Sequence, residues 1–179
     1  RVGALYHDVG KMTNPTYFTE NQGSGINPHN DLDPEDSARI IIDHTLNGIE
    51  IARKYNLPDR IIDFIRTHHG DSLVYYFYAQ AKEGNPEVSK DNFRYPGPKP
   101  FSQETAILMI ADSVEAASKS IKNPTSVKID NLVNKIIEGQ VESGQFLNAN
   151  ITFKQIETIK AVIKKKLASI YHLRIEYPE

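Results

Sequence analysis

GALYHDVGK, residues 3–11, is an apolar turn that ends in His7, Asp8 and Lys11. Val2, Leu5 and Val9 recur at helical spacing up to Gly10, so the stretch predicts a helix whose polar end carries two metal-binding side chains and a cation. An exposed helix end can carry any polar residue. The same turn can instead form the floor of a metal site, and the rest of the chain weighs on the choice.

Outward from this turn the periodicity stays helical. Residues 13–34, rich in Asn, Pro and Gly, read as a long loop. Asp33 followed by Pro34 is a helix start, with an N-cap side chain and a proline at the first helical position. The helix it opens carries Ile41, Ile49 and Ala52, has His44 in its middle and stops before Leu57 and Pro58. PDRIIDFIRTHHG runs from Pro58 to Gly70 and places His68 and His69 in its last turn. SLVYYFYAQAKE is the next predicted helix, and the proline-rich GNPEVSKDNFRYPGPKP after it reads as irregular. Ser102 then caps SQETAILMIADSVEAASKS, where Ile107, Ile110, Ala111 and Val114 predict a buried stripe and Asp112 lies in the same helix. Two helices follow, over residues 127–143 and 152–173, the second with a capping box of Thr152 and Gln155. No segment alternates in polarity for long enough to make a strand, so the class is all-α.

Composition narrows the chemistry. The 179 residues, 39% of them hydrophobic, suffice for one domain with a proper core. A net charge of −2 gives no polycationic surface, so a nucleic-acid polymer is not an expected partner, and any phosphate must be caught locally. With no cysteine, thiolate metal sites, disulfides and cysteine nucleophiles are excluded, and any metal must be held by nitrogen and oxygen. No apolar run approaches a membrane span.

His7, His44, His68 and His69 lie far apart in sequence, so a shared site needs several helices packed together. Neighbouring residues on a helix point about 100° apart, so His7 and Asp8 do not serve one ion from one face. A pair of ions accounts for both adjacent pairs, with Asp8 bridging. Two-metal sites activate a bridging water and hold phosphoryl oxygens, and Lys11, one turn on, is placed to neutralise phosphate charge. The bland reading is a surface histidine at each position, with the His68–His69 pair merely favouring a helix C-terminus. Four histidines and two aspartates on separate helices weigh against it.

HDVGK at 7–11, the lone His44, the doublet His68 and His69, and ADSVEA at 111–116 resemble the HD superfamily of metal-dependent phosphohydrolases. The spacing is similar throughout: 37 residues from His7 to His44, 24 to His68, and 43 from His69 to Asp112. The chain looks most like the intracellular HD domain of bacterial seven-transmembrane receptors, over Arg1 to about Lys119 and more weakly beyond. The resemblance implies one HD helical bundle over residues 1–179, continued upstream by the start of the domain and a membrane region. It implies a phosphodiesterase that opens cyclic di-AMP to pApA through a binuclear iron or manganese centre with a bridging hydroxide, on the cytoplasmic side of the cell membrane. Asp8 is then the bridging carboxylate, His7 and Asp112 bind one metal, His44, His68 and His69 bind the other, and Lys11 contacts phosphate. A further histidine ligand is expected before Arg1. The GYP tripeptide of the cyclic di-GMP group is missing after His69, where DSLVYYFY stands instead. Cyclic di-GMP hydrolysis, a general nucleotidase and a non-catalytic nucleotide sensor are the alternatives.

Four residues complete the expected substrate contacts. The aromatic run Tyr75 to Tyr78 reads mostly as core, yet Tyr76 or Tyr78 can stack a nucleobase. Arg94 and Lys99, in FRYPGPKP, can form a charged lid, with a solvated linker as the bland reading. His29 reads as a solvated loop residue, and His172 with Lys164, Lys165 and Lys166 as a solvated face without a charge partner. Homodimerisation through the last helix is left open.

Overall fold

The computed structural model describes residues 1–22 and 27–171 and divides the chain into two compact units, Arg1–Lys99 and Pro100–Glu179. The His172 reading lies outside the described residues. The described residues are helical, with a single isolated antiparallel bridge between Leu73 and Arg94.

In the first unit α1 (Val2–Tyr6) is followed by short 3-10 turns, then by α2 (Pro34–Lys54), α3 (Asp59–Thr67) and α4 (Tyr75–Gly84). The expected helix through Gly10 stops at Tyr6, and Val9–Thr13 winds as a 3-10 turn. The reason is a contact with α2. A Cβ on Gly10 would stand 1.8 Å from the His44 carbonyl oxygen and 2.5 Å from the Gly48 amide nitrogen, so only glycine lets the turn lie backbone to backbone on that helix. Val2 and Leu5 are exposed, and of the three apolar residues Val9 packs against the core.

Asp33 and Pro34 do start α2, but the Asp33 side chain makes no capping hydrogen bond. Glu35 and Asp36 in the first turn favour the positive end of the helix dipole. The far end closes on Asn56, in the left-handed region at φ 54°, and the Leu57 amide donates back to the Ala52 carbonyl at 2.8 Å. Leu57 thereby joins a core of Ala52, Ile61, Ile62 and Ile65 beneath α1 and the turn. Full burial of Ile65 alone contributes roughly 1.5–3 kcal/mol. A second cluster gathers Ala38, Phe77, Ala81 and Phe93.

The aromatic run departs from expectation. Phe77 and Ala81, four apart, face the core, whereas Tyr75 and Tyr76 are exposed and Tyr78 is half-buried. The segment after α4 is not wholly irregular either: Lys90–Phe93 is a 3-10 turn, and Gly97–Pro98 is a cis peptide.

The second unit holds α5 (Gln103–Ser118), α6 (Ser126–Glu142) and α7 (Phe153–Ile170). Ser102 and Thr152 form capping boxes and Thr125 accepts from Lys128 N, each N-cap stabilising by about 1 kcal/mol. The buried face of α5 runs through Ala106, Met109, Ile110 and Val114; Ile107, expected in that stripe, is exposed and Ala111 half-buried. These residues pack on Ile129, Val133 and Ile137 of α6 and on Ile156 and Leu167 of α7. The Tyr171 hydroxyl donates to the Ser118 carbonyl at 2.9 Å and pins the end of α7. Lys164, read as lacking a charge partner, lies 3.7 Å from Asp130.

Candidate metal centre

His7 caps α1 and Asp8 begins the 3-10 turn that Gly10 seats against α2 at His44. His68 caps α3, and His69 lies just beyond the helix instead of in its last turn. Gly70 closes the bend at φ 53°. Leaving the helix removes the 100° divergence that an ideal helix imposes on neighbours, and the His68 and His69 ring centroids lie 4.0 Å apart.

Three histidines share one tether. The Nδ1–H of His7 donates to Ala4 O at 2.9 Å, that of His68 to Ile65 O at 2.7 Å, and that of His44 to Ile41 O, each to the carbonyl three residues back. A carbonyl only accepts, so the tether fixes the proton on Nδ1 and leaves the Nε2 lone pair of the neutral ring pointing inward. Nε2 of His44 and His68 then face one another at 3.1 Å, and lie 3.4 and 3.5 Å from Asp8 Oδ1. That oxygen is buried and accepts no hydrogen bond. Three electron-rich atoms meet with no proton between neutral rings, an arrangement that calls for a cation. With ligand bonds of about 2.0–2.2 Å, these separations suit donors on one ion.

Ligand atoms of Asp8, His44, His68 and His69 all lie within 4.8 Å of one another. His7 Nε2 lies 3.3 Å from the other Asp8 oxygen, Oδ2. The carboxylate thus turns one oxygen toward His44 and His68 and the other toward His7 and Lys11. Asp112 is half-buried on α5.

The electrostatics favour ligation. Burial lowers the affinity of His68 and His69 for protons, His69 most strongly, and the adjacent imidazoles lower it further. The rings are pushed toward the neutral form that binds metal.

Lys11 Nζ stands 2.8 Å from Asp8 Oδ2 and 2.6 Å from Glu20 Oε1, and 5.2 Å above the Phe18 ring. Burial opposes its charge, but the two carboxylates more than compensate and its pKa is raised. Glu20 and Phe18 were missed in the sequence, where their only signal is that TYFTEN, residues 16–21, lies four residues beyond the HDVGK turn. Phe18 is buried and packs edge-on to His44 at 5.6 Å.

The other expected contacts have neighbours of their own. Tyr76 borders a polar cavity of about 290 Å³ with Asn27, Asn30 and Gln80. Tyr78 packs against Phe93 at 5.6 Å and borders a cavity of about 410 Å³. Arg94 donates to Asp71 O at 2.9 Å and Lys99 lies 3.5 Å from the Asp71 carboxylate, so both cations are engaged within their own segment. His29, read as solvated, is half-buried: its Nε2 donates to Tyr17 O at 2.9 Å and its ring packs on Phe77 at 4.9 Å.

Comparison with known proteins matches the HD domain family model over residues 1–117. The chain is 48% identical, over all of its 179 residues, to cyclic-di-AMP phosphodiesterase PgpH of Bacillus subtilis and likewise 48% identical to that of Listeria monocytogenes. It spans 25% of the length of each of these relatives. A crystal structure of the L. monocytogenes PgpH HD domain in complex with cyclic-di-AMP superposes with a TM-score of 0.93 at 47% identity, covering 99% of this chain and 82% of the other. No described helix is long and apolar enough to cross a membrane.

Proposed function

This chain belongs to the HD domain family, and from that premise we propose that it is a metal-dependent phosphodiesterase that opens cyclic di-AMP to the linear dinucleotide pApA. The observation that carries the reading is the convergence of the tethered His44 and His68 Nε2 atoms on the orphaned Asp8 Oδ1. Asp8, His44, His68 and His69 would hold one divalent ion. His7 and the second Asp8 oxygen would hold another, with Asp112 added on the strength of the ADSVEA motif. Imidazole and carboxylate donors without sulfur suit iron or manganese. When bound, such ions make water nucleophilic near neutral pH and polarise phosphoryl oxygens.

The chain's own residues do the rest. Asp8 offers one oxygen to each side, with the Lys11 ammonium 2.8 Å from Oδ2 to pair with its charge. Lys11 stays protonated between Asp8 and Glu20, and its ammonium is placed to meet the charge that grows on a phosphate oxygen during in-line displacement. Phe18 walls off His44 from water. Tyr76 and Tyr78 are proposed to face the bases, and Arg94 and Lys99 the phosphates, once drawn from Asp71. We also propose, by kinship with the PgpH proteins, that the domain works at the cytoplasmic face of the membrane, anchored by other segments of a longer protein.

The test is hydrolysis of cyclic di-AMP and cyclic di-GMP side by side with Mn²⁺ supplied, products resolved by anion-exchange chromatography. Conversion of cyclic di-AMP to pApA, abolished in Asp8→Asn, is the expected result. Tight binding of either nucleotide without turnover would make the domain a sensor, and preferred turnover of cyclic di-GMP would overturn the substrate assignment.

A further inference from the structure

We propose that Tyr95 is a positioning residue for the metal centre, holding the His69 ring where main-chain tethers hold the other three histidines. The inference rests on the metal-centre reading above. His7, His44 and His68 each donate Nδ1–H to a carbonyl three residues back, whereas the His69 ring takes part in no hydrogen bond among the described residues. Its place is set by ring packing alone. The buried Tyr95 ring stacks on it at 4.2 Å with an interplanar angle of 21°, while His68 and His44 bound its other sides at 4.0 and 5.1 Å. Tyr95 also meets His44 edge-on at 6.0 Å.

The segment that carries Tyr95 is sewn to the residues just after the histidine doublet. Val74 N donates to Phe93 O at 2.8 Å and Tyr95 N to Ser72 O at 3.0 Å. Arg94 Nη1 donates to Asp71 O at 2.9 Å, and Lys99 pairs with the Asp71 carboxylate at 3.5 Å. Phe93, fully buried, anchors one end. Residues 93–99 therefore form a strap that presses one aromatic face on a ligand otherwise free to rotate about χ2, the torsion that aims its nitrogen. Partners that orient a ligand typically change metal affinity by about 10–100-fold when removed.

The test uses the purified chain with Tyr95→Leu and Tyr95→Phe, titrated with Co²⁺ by calorimetry, and imidazole NMR of the metal-free proteins. Tyr95→Leu is expected to weaken Co²⁺ binding about tenfold or more and to shift the His69 ring protons downfield as the Tyr95 ring current vanishes. Tyr95→Phe, which keeps the ring, restores both. Should Tyr95→Leu fail to fold, Tyr95→Met fills the volume without an aromatic face and gives the same readouts. Wild-type Co²⁺ affinity in a folded Leu or Met variant, or an unmoved His69 resonance, overturns the inference. If the unaltered chain takes up no Co²⁺, the proposed function fails, while the His69 resonance still decides whether Tyr95 fixes the ring.

Discussion

Gly10→Ala concentrates the link between fold and site in one methyl group. The new Cβ would lie 1.8 Å from the His44 carbonyl oxygen, 2.5 Å from the Gly48 nitrogen and 2.8 Å from the His44 carbonyl carbon, all of them main-chain atoms of a rigid helix. Ordinary contact begins at about 3.4 Å, so the HDVGK turn must back away from α2 by roughly 1.5 Å. Overpacking of this kind costs about 1–3 kcal/mol, which for a chain of this size lowers Tm by roughly 3–10 °C. The site suffers more than the fold. Asp8 Oδ1 stands 3.4 Å from His44 Nε2 and 3.5 Å from His68 Nε2, and a further 1.5 Å takes it out of reach of an ion held by those histidines at about 2.0–2.2 Å. Metal affinity should fall by about 10–100-fold, the range typical when the groups that position metal ligands are disturbed. Calorimetric titration with Mn²⁺ beside a thermal melt measures both. Unchanged affinity in the variant would refute the claim that the Gly10 contact sets the Asp8 position.

Three further outcomes follow from the same geometry. Glu20→Gln removes the charge 2.6 Å from Lys11 Nζ; hydrolysis should slow about tenfold with metal content unchanged, and an unaltered rate would show that Asp8 alone orders the lysine. Thr152→Ala breaks the capping box of α7 and should lower Tm by about 2–4 °C, which a melt of the two proteins checks. The metal-free chain should lose stability as pH falls below 6.5. Burial lowers the folded pKa of His68 and His69 beneath that unfolded value, so between the two the unfolded chain binds protons that the fold refuses. The slope is at most about 1.4 kcal/mol per pH unit for each histidine. Urea denaturation at pH 7.5 and 5.5 that gives equal stabilities would contradict the assigned burial.

Much of the site was legible because the chemistry sits in residue identity. His7, Asp8, His44, His68 and His69 stand out as nitrogen and oxygen donors in a chain with no sulfur ligand, and their separation in sequence already demanded assembly by packing. The assembly itself was not legible. Nothing in the pattern of Val2, Leu5 and Val9 says that the helix must end at Tyr6, because the cause is a contact with α2 that Gly10 makes possible. Likewise the histidine doublet meets only because it falls beyond α3. Tyr95 went unnoticed as a partner of His69, since 26 residues separate them and the strap between is aligned by main-chain bonds. The aromatic run misled for a simpler reason. Four consecutive residues cannot all face one core at 100° each, and Phe77 with Ala81 takes that face.

The central claim is that a cation belongs where the tethered imidazoles and the Asp8 carboxylate converge. The most direct measurement is anomalous diffraction at the manganese edge from crystals of the chain grown with Mn²⁺. The account predicts a peak within about 2.3 Å of His44 Nε2, His68 Nε2 and Asp8 Oδ1 together, at the ligand distances of such ions. A manganese-loaded crystal with no peak between those three atoms would contradict it.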